Sequence, residues 1–237
     1  LYNAAVNKNS RISVWEVTAM TINNNNITEV VFILDASGSM YDLTDDTIGG
    51  FNSMLEKQKA NEGKVLVSTI TFNTESTTIH DRVDIREVSN LTNKDYVAGG
   101  CTALLDAMGD AIHKTMDIHK YIRPEDVPSQ TLFVITTDGL ENSSHKYSSD
   151  EVKKLVEART EAGWEFIFMG ANIDAVETAK HYGIREDRAV DYLPDAKGTA
   201  LNFNTVGRVV QKMACGISIE DDWSAEIKKD YKARKGH

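Results

Sequence analysis

Four short runs of apolar residues, VVFIL (30–34), VLVSTITF (65–72), TLFVITT (131–137) and EFIFM (165–169), constrain this chain more than any other feature. A strand that is apolar at successive positions has no face left for water, so both of its faces must be covered. The longer stretches between the runs carry apolar residues at helical spacing. These are Ile48, Phe51, Met54 and Leu55; Leu104, Leu105, Met108, Ile112 and Met116; Val152, Leu155 and Val156 behind a Ser148-x-x-Glu151 capping box; Val176, Ala179 and Tyr182; and Phe203, Val206, Val209, Val210 and Met213. Strands alternating with helices of this length make an α/β domain, a mostly parallel sheet with helices on both faces.

Strands are expected at 29–34, 65–72, 77–83, 131–136, 165–169 and 188–192. The link at 73–76 is too short for a crossover, so the strands on either side of it form an antiparallel hairpin at one edge of the sheet. Residues 1–27, with Asn at each of positions 23–26, read as an Asn-rich leader that is weakly ordered or adds a strand. The α/β domain occupies 28–216. Residues 217–237 form a charged C-terminal helix or tail with Trp223, Ile227 and Tyr231 at helical spacing.

The 36 acidic and 26 basic residues leave a formal charge of -10, which argues against a nucleic acid or an anionic membrane as partner. No stretch reaches the roughly 18 consecutive apolar residues that a membrane span needs. Residues 1–27 show no apolar core of a secretory signal. Cys101 and Cys215 are too few for a disulfide framework, so a cytoplasmic protein is expected.

Where the first apolar run ends, the chemistry changes abruptly: VFILDASGSM carries Asp35, Ser37 and Ser39 at alternate positions. Alternate residues of an extended segment project to one side, and a loop that curls at Gly38 can aim all three oxygens at one point. In a parallel sheet, ligands bind in the crevice beyond the carboxyl ends of the strands. The run at 131–137 ends the same way, delivering Asp138 and Gly139, and Thr102 in GGCTALLDA stands where a glycine pair turns the chain into a helix. Two carboxylates and three hydroxyls make an all-oxygen set, which suits Mg2+, Mn2+ or Ca2+ and suits zinc poorly. Neutral hydroxyls fill coordination positions without cancelling charge, so an ion held this way stays able to accept a carboxylate from a partner.

Met40, Tyr41, Glu141 and Asn142 follow the ligand segments directly and are expected to form a partner-binding rim. Catalysis finds few of its usual parts. There is no GxSxG, GxxxxGK[ST] or GxGxxG motif, and the 6 histidines show no ligand spacing. No Lys or Arg falls within 31–45 or 131–145, where phosphoryl transfer would need cations beside the metal.

Asp35-x-Ser37-x-Ser39, Thr102 and Asp138 in TTDG, in that order and on those elements, resemble the metal-ion-dependent adhesion site of the von Willebrand factor type A domain. The resemblance covers 28–216 and fills every position of the motif. It implies a three-layer Rossmann-like fold, a bound Mg2+ and a partner protein that supplies an acidic side chain. Carried over residue by residue, Ser37, Ser39 and Thr102 are hydroxyl ligands, and Asp35 and Asp138 bind directly or through water. The composition is similar to that of the intracellular bacterial branches, which suggest an AAA+ ATPase of the MoxR type as a partner class. The expected function is a metal-dependent protein-interaction module with no catalysis of its own. The alternatives are a Mg2+-dependent hydrolase or phosphoryl-transfer enzyme, and a scaffold whose metal site is vestigial.

Overall fold

The computed structural model describes residues 25–60 and 63–235. Its centre is a 6-stranded sheet in the order β3-β2-β1-β4-β5-β6. The strands are β1 (Ile27–Asp35), β2 (Lys64–Phe72), β3 (Ser76–Asp84), β4 (Gln130–Thr137), β5 (Glu165–Gly170) and β6 (Ala189–Asp191). All neighbours pair in parallel except β2 and β3, whose antiparallel hairpin turns at Asn73–Glu75, as the short link requires. The helices are α1 (Thr44–Lys59), α2 (Leu104–Tyr121), α3 (Ser149–Glu161), α4 (Ala175–His181), α5 (Ala196–Ala214) and α6 (Ala225–Arg234).

The apolar run in β1 is explained by its position between β2 and β4 with helices on both faces. Side chains of a strand alternate between faces. Val30, Phe32 and Leu34 pack with Phe51 and Met54 of α1, Phe203 and Val206 of α5 and Ile227 of α6. Val31 and Ile33 pack on the other side with Leu104, Met108 and Ile112 of α2 and Val152 of α3. The strand also buries a charge near its start. Glu29 is buried at the start of β1, where His119 Nε2 lies 2.5 Å and Arg82 Nε 3.4 Å from its carboxylate, tying α2 and β3 to the strand.

The expected helices form with their apolar faces inward, and α3 opens on the capping box in which Ser148 and Glu151 bond each other's backbone. At the C-terminus, the charged segment is a docked helix. Ile219, Trp223 and Ile227 are buried in the same core as Val30, and Trp223 Nε1 donates to Asp187 O at 2.7 Å. At the other end, β1 begins at Ile27, one residue inside the expected leader. Asn25 anchors it by donating to the carbonyls of Glu125 and Val127. The rest of the leader, 1–24, lies outside the described residues.

Two adjacent glycines in α1 do different things. A Cβ on Gly50 would stand 2.6 Å from Phe203 Cδ2, so α1 and α5 approach closely through that glycine, whereas a Cβ on Gly49 would meet nothing within 4 Å. Phe203 cannot easily yield, because its ring is held edge-on against Phe51 at 6.0 Å. Gly50→Ala is expected to cost about 1–3 kcal/mol by overpacking. Gly49→Ala should instead stabilise by about 0.4–1 kcal/mol through the unfolded chain. Urea unfolding of the two variants side by side checks both signs.

Candidate metal centre

The chain runs from β1 to one side of the sheet, through β2 and β3, and then crosses over to β4 on the other side of β1. A doubly wound sheet has its crevice at such a switch, because the connections leaving the two central strands diverge. Asp35 is the last residue of β1 and Asp138 follows the last residue of β4, so both carboxylates stand at this switch.

Asp35 is fully buried. Its Oδ1 accepts from Ser37 N at 2.7 Å and its Oδ2 accepts from Thr137 Oγ1 at 2.6 Å. After it the chain enters a 3-10 turn, Gly38–Leu43, which needs no left-handed residue at Gly38. The Ser37 and Ser39 hydroxyls lie 3.1 Å apart, and Ser39 Oγ donates to Asp138 Oδ1 at 2.5 Å. Thr102 arrives on a separate segment. A Cβ built on Gly139 would be 3.7 Å from both Ser39 Oγ and Thr102 Oγ1, so the two hydroxyls border the same glycine.

The segment before α2 is fixed by backbone bonds to β1 and to the hairpin. Gly99 N donates to Ala36 O, Gly38 N to Gly100 O and Ala103 N to Asn73 O. Gly100 is left-handed, with φ +74, and a Cβ there would meet Thr74 Oγ1 at 2.7 Å, so glycine is required on both counts.

Burial pushes the Asp35 carboxyl up from its ordinary value. The bonds from Thr137 and Ser37 oppose this, and the negative charge of Asp138 adds to it. Burial likewise pushes Asp138 up, against the bond from Ser39. The pair is therefore short of positive charge, and its bonding partners are hydroxyl and backbone donors. Among the described residues no group of three or more His, Cys, Asp or Glu side chains is gathered, which leaves hydroxyls to complete any coordination sphere here. A hard divalent cation fits this donor set, because it relieves the repulsion that burial imposes and takes neutral hydroxyl oxygens as ligands.

The rim differs from the expectation at two positions. Met40 is 2% exposed and belongs to the core, because three residues per turn of 3-10 helix put Met40 and Leu43 on the same inward side. Glu141 is a clamp: its carboxylate accepts from Leu105 N, Ser143 N, Ser144 N and Ser144 Oγ at 2.7–2.9 Å, securing the loop after β4 to the start of α2. Asn142 is exposed, yet its Oδ1 accepts from Thr102 N at 2.9 Å and its N donates back to Thr102 O. Tyr41 stands outward at 74% exposure, with Val97 at 63% and Leu140 at 61%.

Sequence reasoning passed over Thr137 and Tyr96. Thr137 is the residue before Asp138 and the last of a buried strand, a position where a hydroxyl must find a bond, which was the available signal. Tyr96 is fully buried and donates its hydroxyl to Asp35 O, from a loop whose sequence gives no such hint. Asp106, in the first turn of α2, accepts from the backbone N–H groups of His145, Lys146 and Tyr147.

No protein-family profile and no curated protein sequence matches this chain. Solved structures do. The von Willebrand factor domain of the type V pili tip protein Mfa5 from Porphyromonas gingivalis superposes with a TM-score of 0.58 at 12% identity, over 81% of this chain and 97% of that one. A von Willebrand factor type A structure from Catenulispora acidiphila gives 0.52 at 15% identity, over 76% of this chain and 41% of that one. Proximal thread matrix protein 1 from the mussel byssus, solved with a zinc-occupied metal-ion-dependent adhesion site, gives 0.51 at 14% identity, over 79% of this chain and 46% of that one. This chain thus spans less than half the length of the last two. At such low identity the shared property is the path of the backbone, and this chain has the von Willebrand factor type A fold.

Proposed function

We propose that the chain is a metal-dependent protein-interaction module. In this reading Asp35, Ser37, Ser39, Thr102 and Asp138 hold one divalent cation, Mg2+ first and Mn2+ or Ca2+ as alternatives, to which a partner protein adds a carboxylate. The observation that carries it is the meeting of two buried carboxylates and three hydroxyls at the sheet's switch point, with no cation among the bonds they make. The ion would supply a Lewis-acidic anchor for the partner's acid. The residues do the rest: Thr137 orients the Asp35 carboxylate, Tyr96 fixes the carbonyl of the same residue, and Asn142 holds Thr102 in place.

The surroundings support a partner more than a small substrate. Tyr41 and Val97 line a groove of about 370 Å3 that reaches Tyr96, and Leu140 follows Asp138 by two residues. Apolar side chains exposed on the very loops that carry the ligands are what a protein interface buries. The free, exposed thiols of Cys101 and Cys215 suit a reducing cytoplasm, and the AAA+ ATPase partner class follows from the sequence resemblance. Among the described residues no helix is long and apolar enough to cross a membrane.

The hydrolase alternative has less to support it. The bonding partners of Asp35 and Asp138 are Ser37, Ser39, Thr137 and backbone N–H groups, none of which supplies a cation for a phosphoryl group or a base for water.

Calorimetric titration with Mg2+ is expected to give single-site binding that Asp35→Ala and Thr102→Ala abolish, with far-UV circular dichroism unchanged. Absence of heat at millimolar Mg2+, with Mn2+ and Ca2+ equally silent, would end the reading. Thr137→Val keeps every ligand but removes the hydroxyl that orients Asp35, so divalent affinity should fall by about 10–100-fold. In the metal-free protein the same change should cost about 1–3 kcal/mol in a denaturant titration, since a buried carboxylate loses a donor. Partner capture from the native lysate should survive in Mg2+ and disappear in EDTA; capture that persists in EDTA favours a scaffold. Turnover of phosphate or ester substrates that Asp35→Ala removes would favour the enzyme.

A further inference from the structure

A second surface of the molecule has its own chemistry. On the flank of the sheet where β6 ends it, α4 and α6 leave a groove of about 430 Å3 between them, with Val176 on one wall, Tyr231 on the other and Val190 beneath. It opens into a second cavity of about 520 Å3 over the loops that follow β5 and β6, and the two share Asp191, Tyr231 and Lys235.

The charges of α6 are sorted between its faces. Glu226 and Asp230 are consumed by cations on one side: Arg208 reaches Glu226 at 2.8 Å, Lys197 reaches Asp230 at 2.6 Å, and Arg234 also pairs with Asp230. Lys228, Lys232 and Lys235 face the groove instead, at the i, i+4, i+7 spacing that aligns side chains along one side of a helix. Among the described residues neither Lys228 nor Lys232 enters an ion pair, and the Lys235 ammonium lies 4.6 Å from the Tyr231 ring centroid. Asp191 lines the same groove and Asp174 the cavity beside it; they accept from Ala175 N and Glu177 N at the start of α4, and their charges act on Lys235 at the end of the lysine row. Lys228 and Lys232, one turn apart and outside any ion pair among the described residues, give the groove a cationic wall in a chain of net charge -10.

We infer that this groove docks an extended segment of a partner protein in which Glu or Asp recurs at alternate positions. Alternate residues of an extended chain point the same way about every 6.6 Å, and four residues of helix rise about 6 Å. Carboxylates so spaced therefore meet Lys228 and Lys232 in step, while the intervening chain and the aliphatic stems lie against Tyr231 and Val176. The site is independent of the metal centre and uses none of its residues.

The test is fluorescence anisotropy of a labelled octapeptide of alternating Glu and Ser, at low salt, with and without EDTA. Wild-type protein should bind it, with affinity falling as ionic strength rises, and should not bind the Gln-Ser analogue. Lys228→Glu/Lys232→Glu should weaken binding by about tenfold or more. Lys228→Gln/Lys232→Gln should weaken it less, and Lys120→Glu on α2 should leave it unchanged. All these positions are exposed, and circular dichroism checks that the variants fold. Equal binding by wild type and the charge-reversed variant overturns the inference, as does no binding at millimolar peptide. Competition by an oligothymidylate as strong as by unlabelled peptide also overturns it, because the groove would then be a general anion surface. Binding that survives EDTA is the expected result, and its loss in EDTA overturns the assignment to this groove while leaving the metal centre standing.

Discussion

The two-sided burial of β1 is the constraint on which the rest depends. A strand apolar at successive positions forces helices onto both faces and neighbours onto both edges, so it becomes the centre of the sheet. The residue that ends it is thereby placed at the switch point, deep enough to lose its water and near enough to the surface to meet a ligand. Asp35 occupies that position, and the desolvation that raises its carboxyl comes from the same packing that holds the sheet together.

Around that carboxylate the structure supplies order without charge. Thr137, Ser37, Ser39 and Tyr96 contribute hydroxyl or backbone donors, and Asn142 and Glu141 tie the loop after β4 to the start of α2. The loops are thus held by one another as well as by the strands. The cation we propose would need little rearrangement to enter such a site, because the oxygens are already gathered and what they lack is a positive charge. The exposed Tyr41, Val97 and Leu140 lie on the same loops, so apolar side chains stand in solvent beside the polar centre. On the far flank the polarity is reversed, with lysines along α6 facing solvent beside Tyr231.

Most of the fold was legible because its signals are local. Periodicity placed the strands within a residue or two of their observed limits, and the Ser148–Glu151 capping box marked the start of α3. The shortness of 73–76 was enough to make β3 antiparallel. Misreadings arose where a residue's direction depends on a turn that periodicity does not describe. Met40 was expected on the rim and is in the core because a 3-10 turn rotates it inward. Glu141 was expected to face a partner and instead holds the backbone of its own loop and of α2. Thr137 and Tyr96 escaped notice because a hydroxyl's partner cannot be read from composition when that partner is far along the chain.

The sequence by itself determined the class of fold, the hairpin at its edge and the oxygen-rich character of the strand ends, because each follows from spacing within a few residues. Tertiary structure alone decided that Thr137 and Tyr96 hold Asp35, that Glu29 is buried against His119 and Arg82, and that the charges of α6 divide between two faces. Those outcomes depend on how helices pack across the sheet. Packing is set by the fit of whole surfaces, which no short stretch of sequence contains.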